Sequence, residues 1–137
     1  MNWMSSRRGG AVVVVSLLAV VAGFVVLAQQ PPAIKRNLVL EQDLSLPGRE
    51  GVVQVVEFPV GAKDDRHSHF AESFVFVLDG SLLVENEGRP TATLKAGDVF
   101  HVGPGTVHRS SNAGSVPARF VSVLIAEKNK PRSTPAE

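Results

Sequence analysis

Four histidines form the pattern in this chain with the clearest chemical meaning: His67, His69, His101 and His108. His67 and His69 are two positions apart, so on an extended chain both imidazole rings point to the same side. Neutral imidazole is a common ligand of zinc, iron, copper and nickel in proteins. The pair therefore predicts half of a metal site, although a solvated pair on an edge strand would have the same spacing.

Composition excludes several other kinds of site. Cysteine is absent, so the chain has no disulfide, thiolate ligand or thiol nucleophile. No serine stands in a nucleophile elbow. The formal charge of +1 includes Arg7 and Arg8, and without these two residues the remainder carries −1. That balance gives no reason to expect nucleic acid as a partner.

The N-terminal segment differs in kind from the rest of the chain. Arg7 and Arg8 precede an uncharged apolar run over residues 11–28, and prolines follow at positions 31 and 32. This order is typical of a secretory signal peptide, with cleavage expected after Ala28. A retained membrane anchor is the alternative, with the arginines on the cytoplasmic side. Both predict export to the periplasm or the extracellular space, and the arginine pair also fits a twin-arginine signal.

From Ile34 onward, short β-branched runs alternate with turn residues, and no stretch keeps a helical period. Val52–Phe58 is the clearest strand. Phe74–Leu78 is apolar throughout, which predicts that both of its faces are covered. About eight short strands at even spacing predict an all-β sandwich or barrel. The expected divisions are a signal or anchor segment over 1–28, lead-in strands over 29–50, a β-barrel over 51–127 and a flexible tail over 128–137.

Two spaced motifs carry a resemblance to a known family. They are Gly61…His67-Ser68-His69…Gly80 and Gly97…Gly105-Thr106-Val107-His108…Asn112. In this order they resemble the two motifs of the cupin superfamily. The resemblance implies a small jelly-roll β-barrel. It also implies that His67, His69 and His108 on the inner face bind one divalent transition-metal ion, which could be iron, manganese, nickel, copper or zinc.

The carboxylate that metal-binding cupins often place after the second histidine has no exact counterpart here. The usual position corresponds to Ser73, and Glu72 stands beside it. Neighbouring side chains on a regular strand point to opposite faces, so Glu72 reaches the metal only if a local bulge turns it inward. We expect Glu72 to be the fourth ligand; a three-histidine site completed by water, with or without Ser73, is the alternative.

His101 stands on the strand expected over 99–102 and is a candidate acid–base group, together with Glu72. A surface histidine that makes one hydrogen bond is the alternative interpretation of His101. Arg66 and Arg109 each adjoin an expected ligand, so strand alternation predicts that they point away from the metal and form salt bridges. Asp98 follows Gly97 and is interpreted as a turn residue that caps its own backbone.

Family resemblance leaves the function open, because cupins include dioxygenases, sugar isomerases, sensors and storage proteins. We predict an exported metal-dependent enzyme of oxygenase type that acts on a small molecule. A non-catalytic domain that binds a small ligand or a metal ion is the alternative, and a purely structural domain with incidental histidines is a third.

The resemblance also implies a homodimer, with Val52–Phe58 or Leu38–Leu46 pairing across a two-fold axis. Contact with a membrane is expected only through the N-terminal segment, if it is retained.

Overall fold

The computed structural model describes residue 30 and residues 32–137. This part of the chain contains ten β-strands: β1 (Lys35–Asp43), β2 (Arg49–Phe58), β3 (His67–Ser68), β4 (Ala71–Asp79), β5 (Ser81–Asn86), β6 (Ala92–Lys95), β7 (Val99–Val102), β8 (His108–Ser111), β9 (Ala118–Glu127) and β10 (Thr134–Pro135). Within it, no helix is long and apolar enough to cross a membrane. The signal or anchor segment expected over residues 1–28 lies outside the described residues.

The strands form two antiparallel sheets of five strands each. The first sheet has the order β1-β2-β9-β4-β7, and the second has the order β10-β3-β8-β5-β6. Buried side chains from both sheets form a shared core, which is the arrangement of a jelly roll. The all-β prediction is therefore confirmed for the described residues. The structure adds two strands of only two residues, β3 and β10, to the eight or so that were expected.

Alternation along the strands builds the core. On β5 every second residue is buried, as expected for a strand with one face against the opposite sheet. Phe58 and Phe120 from the first sheet meet with their ring centroids 5.5 Å apart, and Leu82 from β5 packs in the same cluster. Burying each such side chain stabilises the fold by roughly 1.5–3 kcal/mol. The members of this cluster are Val56, Phe58, Ala62, Val77, Leu82, Val84, Leu94, Ala118 and Phe120.

The expectation that both faces of the strand Phe74–Leu78 are covered does not hold in the structure. β4 lies between β9 and β7, and its inward side chains Ser73 and Val77 are buried. Its outward side chains Phe74 and Phe76 are 38% and 42% exposed. Nothing among the described residues covers this outer face, so a continuous apolar run here belongs to a strand buried on one side only.

The tail over residues 128–137, for which flexibility was expected, lies against the barrel in the structure. Its strand β10 pairs with β3, with Thr134 opposite Ser68. Beyond the pair, the backbone N–H of Ala136 donates to the carbonyl of Arg66 at 2.9 Å. Composition alone suggested mobility. It could not reveal the strand pairing, because the partners of the tail lie more than sixty positions earlier in the sequence.

One of the two segments suggested for dimer pairing is internal to the first sheet. β2, which contains Val52–Phe58, is hydrogen-bonded to β1 on one side and to β9 on the other. Its backbone groups are therefore already paired and cannot form a ladder with a second chain. β1, which contains most of the segment Leu38–Leu46, has β2 as its one neighbour among the described residues.

Candidate metal centre

Three of the four histidines meet at one end of the barrel. β3 and β8 are neighbours, and their register places His67 directly opposite His108, with ring centroids 4.4 Å apart. His69 follows two positions after His67, and its ring centroid lies 4.8 Å from that of His67 and 5.0 Å from that of His108. One ring nitrogen from each residue lies within 4.8 Å of the other two. We call these three residues the histidine cluster.

A hydrogen bond from the turn at Gly105 connects the two sequence motifs at this cluster. The backbone N–H of Gly105 donates to the carbonyl of His69 at 2.9 Å. Gly105 has a φ of 72°, a conformation that glycine adopts without a steric penalty. This hydrogen bond therefore connects the loop before β8 to the segment after β3, and it holds His69 beside His108.

Hydrogen bonds fix the orientation of all three rings. Each Nδ1 lies close to a backbone carbonyl: His67 to Asp65 at 2.7 Å, His69 to Arg132 at 2.5 Å, and His108 to Thr106 at 3.0 Å. A carbonyl oxygen can only accept, so each Nδ1 carries the hydrogen and donates it. In a neutral ring the lone pair then resides on Nε2.

Burial keeps two of these rings neutral. It lowers the pKa of His69 to about 4, with the charges of His67 and His108 contributing in the same direction. Burial is also the main cause that lowers the pKa of His108. Near pH 7 both rings are therefore neutral and offer lone pairs, which is the form that binds metal.

The histidine cluster lines a small cavity between the two sheets, with a volume of about 90 Å³. Gln54, Ser73 and Ser122 of the first sheet contribute polar side chains to its wall. Most of the remaining lining is apolar, including Phe58, Phe100 and Phe120. An adjoining cleft of about 580 Å³ shares His67 and His69 with the cavity. A ligand held at the histidines can thus extend into the cleft.

Arg36 and Asp64 also line both the cavity and the cleft, and sequence reasoning missed both. The Asp64 carboxylate accepts a hydrogen bond from the backbone N–H of Ser110 at 2.6 Å and lies 4.0 Å from the Arg36 guanidinium. Burial raises the pKa of Asp64, against the opposite effects of Ser110, His67 and Arg36. Neither residue has a sequence signal, because Asp64 resembles the neighbouring Asp65 and Arg36 lies on an edge strand whose residues are all exposed.

Glu72 and His101 are not brought to the histidine cluster. Pairing of β4 with β9 is regular from Ala71 to Val77, so no bulge turns Glu72 inward, and Ser73 faces the cavity. Glu72 Oε2 instead lies 2.6 Å from Nε2 of His101, and both side chains are nearly half exposed. The two candidate acid–base residues therefore contact each other outside the cavity.

Two minor interpretations from the sequence are confirmed. Arg109 makes a two-point ion pair with Glu85 of the neighbouring strand. This agrees with the expectation that Arg109 points away from the metal site and forms a salt bridge. The carboxylate of Asp98 accepts a hydrogen bond from the backbone N–H of Lys95 at 2.7 Å and so caps its turn. The same expectation is not met for Arg66, which lines the cleft beside His67 and forms no ion pair among the described residues.

Residues 54–124 match the model of the cupin domain family, which is more than half of the chain. The chain belongs to the cupin family. No curated protein sequence matches this cupin. The match includes all three members of the histidine cluster, which lie between positions 67 and 108.

Solved structures agree with the cupin assignment. A conserved protein with a double-stranded β-helix domain from Klebsiella pneumoniae subsp. pneumoniae MGH 78578 is 27% identical, over 80% of this chain and 89% of that chain, with a TM-score of 0.64. A predicted oxalate decarboxylase from Thermotoga maritima MSB8 is 21% identical, over 68% and 80%, with a TM-score of 0.60. The DMSP lyase DddQ from Ruegeria pomeroyi DSS-3 is 23% identical, over 63% of this chain and 43% of that chain, with a TM-score of 0.58. The last two likenesses show the fold alone.

The donor set in this cupin fits a divalent transition-metal ion. Three Nδ1 atoms are occupied by backbone carbonyls, so three Nε2 lone pairs remain for a ligand to share. Three neutral imidazoles that converge within 4.8 Å of one another can share one cation through these lone pairs. Three protein ligands also leave coordination positions open, as in catalytic rather than structural sites.

Proposed function

We propose that this cupin binds one divalent transition-metal ion through the histidine cluster and presents the open coordination positions to a small ligand. The observation that carries the proposal is the shared orientation of the three rings, in each of which Nδ1–H donates to a backbone carbonyl. Iron, manganese, nickel, copper and zinc all suit imidazole ligands. Glu72 is not part of this ligand set, because it lies outside the cavity.

An anionic ligand fits the charge of such a site. Neutral imidazoles leave the full +2 charge of a divalent ion uncompensated, whereas a carboxylate ligand would reduce it to about +1. Arg36 adds a positive charge to the cavity wall, next to Asp64. A cavity of about 90 Å³ holds only a few water-sized groups. We therefore propose a small anion, or the anionic end of a larger molecule that extends into the cleft.

When bound, the metal ion would supply Lewis acidity, polarising ligand oxygens and lowering the pKa of coordinated water. The chain supplies the surroundings. Apolar side chains such as Phe100 and Phe120 exclude bulk water, while Gln54 and Ser122 offer hydrogen bonds to a ligand. Asp64 is the carboxylate that lines the cavity, so we propose its carboxylate oxygens, rather than those of Glu72, as the place where a proton is held or transferred.

An oxygenase-type enzyme is our first candidate within this proposal, because open metal positions suit that chemistry and the chain has no cysteine nucleophile. A non-catalytic binding domain is the second candidate. It is favoured by the position of Glu72 and His101, since the two expected proton carriers contact each other on the outer face. Oxygen consumption by the metal-loaded chain in the presence of small carboxylates separates the two, because a binding domain shows saturation without turnover.

Cobalt(II) spectra provide the test for the anionic ligand. We expect acetate and phosphate to change the visible spectrum of the Co²⁺-loaded chain at concentrations where neutral acetamide does not. Arg36→Ala should weaken this anion effect by about tenfold. Lys35→Ala is the matched control, because Lys35 lies on the same strand but pairs with Glu57 outside the cavity. Equal responses to anions and acetamide would contradict the proposed ligand class.

Export is also part of the proposal, on the basis of the apolar run over residues 11–28 behind Arg7 and Arg8. The full-length chain should appear in the exported fraction, either cleaved after Ala28 or attached to the membrane. Replacement of both arginines by lysine should stop export if the route is the twin-arginine one. A chain that remains entirely in the cytoplasm would contradict the export proposal.

We further propose a homodimer in which two copies of β1 pair antiparallel. β1 exposes Leu38, Val39 and Leu40 at its centre, and an exposed edge strand with one neighbour tends to pair with another chain. Its sequence is self-complementary about Val39, because an antiparallel copy places Lys35 opposite Asp43. Sedimentation should give a dimer that Val39→Lys converts to monomer. A monomeric wild-type mass would contradict the proposal.

A further inference from the structure

The third histidine of the cluster depends on a distant part of the chain. Nδ1 of His67 and Nδ1 of His108 donate to carbonyls only two positions earlier, at Asp65 and Thr106. Nδ1 of His69 donates to the carbonyl of Arg132, 63 positions later. Two rings are thus oriented by their own loops, whereas the third is oriented by the C-terminal tail over residues 128–137.

Backbone pairing holds this tail beside the histidine cluster. In the ladder between β10 and β3, Thr134 pairs with Ser68 and Pro135 pairs with His67. The N–H of Ala136 then bonds the carbonyl of Arg66 at 2.9 Å. The tail therefore runs along the segment that carries His67 and His69, and its backbone is fixed on the C-terminal side of Arg132.

The side chain of Arg132 fixes the tail on the other sheet. Its guanidinium lies 2.5 Å from Glu41 of β1 and 3.5 Å from Glu50 of β2. The same residue thus offers its carbonyl to a metal-binding histidine and its guanidinium to the edge of the first sheet. Arg132 also lines the cleft that leads to the cavity.

We propose that Arg132 is a positioning residue of the metal centre: Glu41 and Glu50 hold its guanidinium, and its carbonyl holds the ring of His69 with Nε2 available to the metal. This inference rests on the proposed metal site. Hydrogen bonds to the second nitrogen of a histidine ligand set its tautomer and orientation, and their loss typically costs 10–100-fold in metal affinity. The C-terminal tail is therefore part of the metal site as well as of the sheet.

The test compares the Co²⁺ affinity of one shortened chain and several single-residue variants, measured by visible absorption after metal removal. Ending the chain at Lys130 removes the Arg132 carbonyl and should weaken Co²⁺ binding by about 10–100-fold. Arg132→Ala keeps every backbone group but removes the guanidinium, so it should weaken binding by a smaller factor. Arg132→Lys can still pair with the glutamates and should restore most of the affinity. Arg119→Ala is the matched control. It removes the exposed ion pair between Arg119 and Asp79, which lies outside both the cavity and the cleft.

A second measurement separates positioning from general stability. The ¹⁵N NMR spectrum of the metal-free chain should show His69 as the Nδ1–H tautomer in the wild type and Arg119→Ala. In Arg132→Ala it should show a mixture of tautomers, with the ring of His108 unchanged. The shortened chain, which ends at Lys130, could fail to fold. Arg132→Ala then still decides the question, because its backbone is intact.

The outcomes distinguish this inference from the proposed function on which it rests. Tight Co²⁺ binding by the wild type and by both Arg132→Ala and the shortened chain would overturn the positioning role and leave the metal site standing. A wild-type chain that does not bind Co²⁺ would overturn both. Weaker binding in Arg132→Ala that Arg132→Lys does not restore would overturn the role assigned to Glu41 and Glu50.

Discussion

Glu72 and His101 form a hydrogen-bonded pair, 2.6 Å between Oε2 and Nε2, on the face of the first sheet opposite to the cavity. The ring of Phe74 packs against His101 with centroids 4.9 Å apart. The residue between Glu72 and Phe74 is Ser73, which is buried and lines the cavity. Strand alternation alone thus decides which of two neighbouring residues faces the metal site.

This relationship predicts that Glu72→Gln leaves metal affinity unchanged within about twofold, because the side chain does not reach the histidine cluster. The pair is largely exposed, so the free energy of unfolding should change by less than about 1 kcal/mol. Co²⁺ titration and urea unfolding check the two values. A loss of affinity larger than tenfold would show that Glu72 binds the metal after all.

Replacement of Asn112 is expected to have a large effect on the free energy of unfolding. Its side-chain amide donates to the carbonyls of Phe58 at 3.0 Å and Val116 at 2.8 Å, its Oδ1 accepts from the N–H of Gly114 at 2.9 Å, and it is 1% exposed. Asn112→Ala leaves these buried groups without partners and should lower the free energy of unfolding by about 3 kcal/mol. Urea unfolding measures the loss.

Asn37 on β1 provides the control for that experiment. It is exposed, so Asn37→Ala should change the free energy of unfolding by no more than about 0.5 kcal/mol. Asn112→Asp should be nearly as destabilising as Asn112→Ala, because it keeps the acceptor for Gly114 but loses both donors. Equal stability of the Asn37 and Asn112 variants would contradict the assigned hydrogen bonds.

Two glycine turns predict unequal tolerance of a methyl group. Gly80 has a φ of 71°, and a Cβ there would lie 2.5 Å from the carbonyl oxygen of Pro117. Gly88 has a φ of 77° with no atom within 4 Å of that position. Gly88→Ala should therefore cost about 1 kcal/mol for the backbone conformation alone, and Gly80→Ala about 3 kcal/mol or more. Similar thermal midpoints for the two variants would contradict this difference.

The partly buried ring of His69 predicts that the metal-free chain is less stable in acid. Burial lowers the pKa of His69 to about 4, whereas an unfolded chain has an ordinary histidine pKa near 6.5. Between these values the unfolded chain binds more protons, so the free energy of unfolding falls as pH falls. After allowance for solvent screening, the loss for His69 should be on the order of 2 kcal/mol by pH 4.

Urea unfolding of the chelator-treated chain at several pH values measures this dependence. His69→Gln should remove the part of the slope between pH 6.5 and pH 4 that His69 causes. His101→Gln, at the exposed pair, is the control. An identical slope in the wild type and the His69 variant would show that His69 is not held neutral by the fold.

Much of the fold and half of the site follow from local sequence patterns. The strand expected over Val52–Phe58 lies within β2, and the strand expected over 99–102 is β7. Alternation and turn residues specify these strands within a few positions of each other. The meeting of His67 with His108 was expected from the resemblance to the two cupin motifs, and the register of β3 with β8 places the two residues opposite each other.

The remaining features depend on contacts between residues far apart in sequence. The hydrogen bond from His69 to the carbonyl of Arg132 spans 63 positions, and composition alone gave the tail a flexible character. Asp64 lines the cavity only because β8 supplies the N–H of Ser110 to hold it there. The expected role of Glu72 assumed a bulge beside it, but the pairing of β4 with β9 is regular at Glu72 and irregular only between Val77 and Asp79.

Metal content per chain tests the central claim most directly. Elemental mass spectrometry, with chain concentration from amino-acid analysis because Trp3 is the only tryptophan and tyrosine is absent, should give about one equivalent of a first-row transition metal. His67→Ala and His108→Ala should lose it, whereas His101→Ala should retain it. A wild-type chain that holds no metal and takes up none from added Zn²⁺ or Co²⁺, or three variants with equal content, would contradict the account.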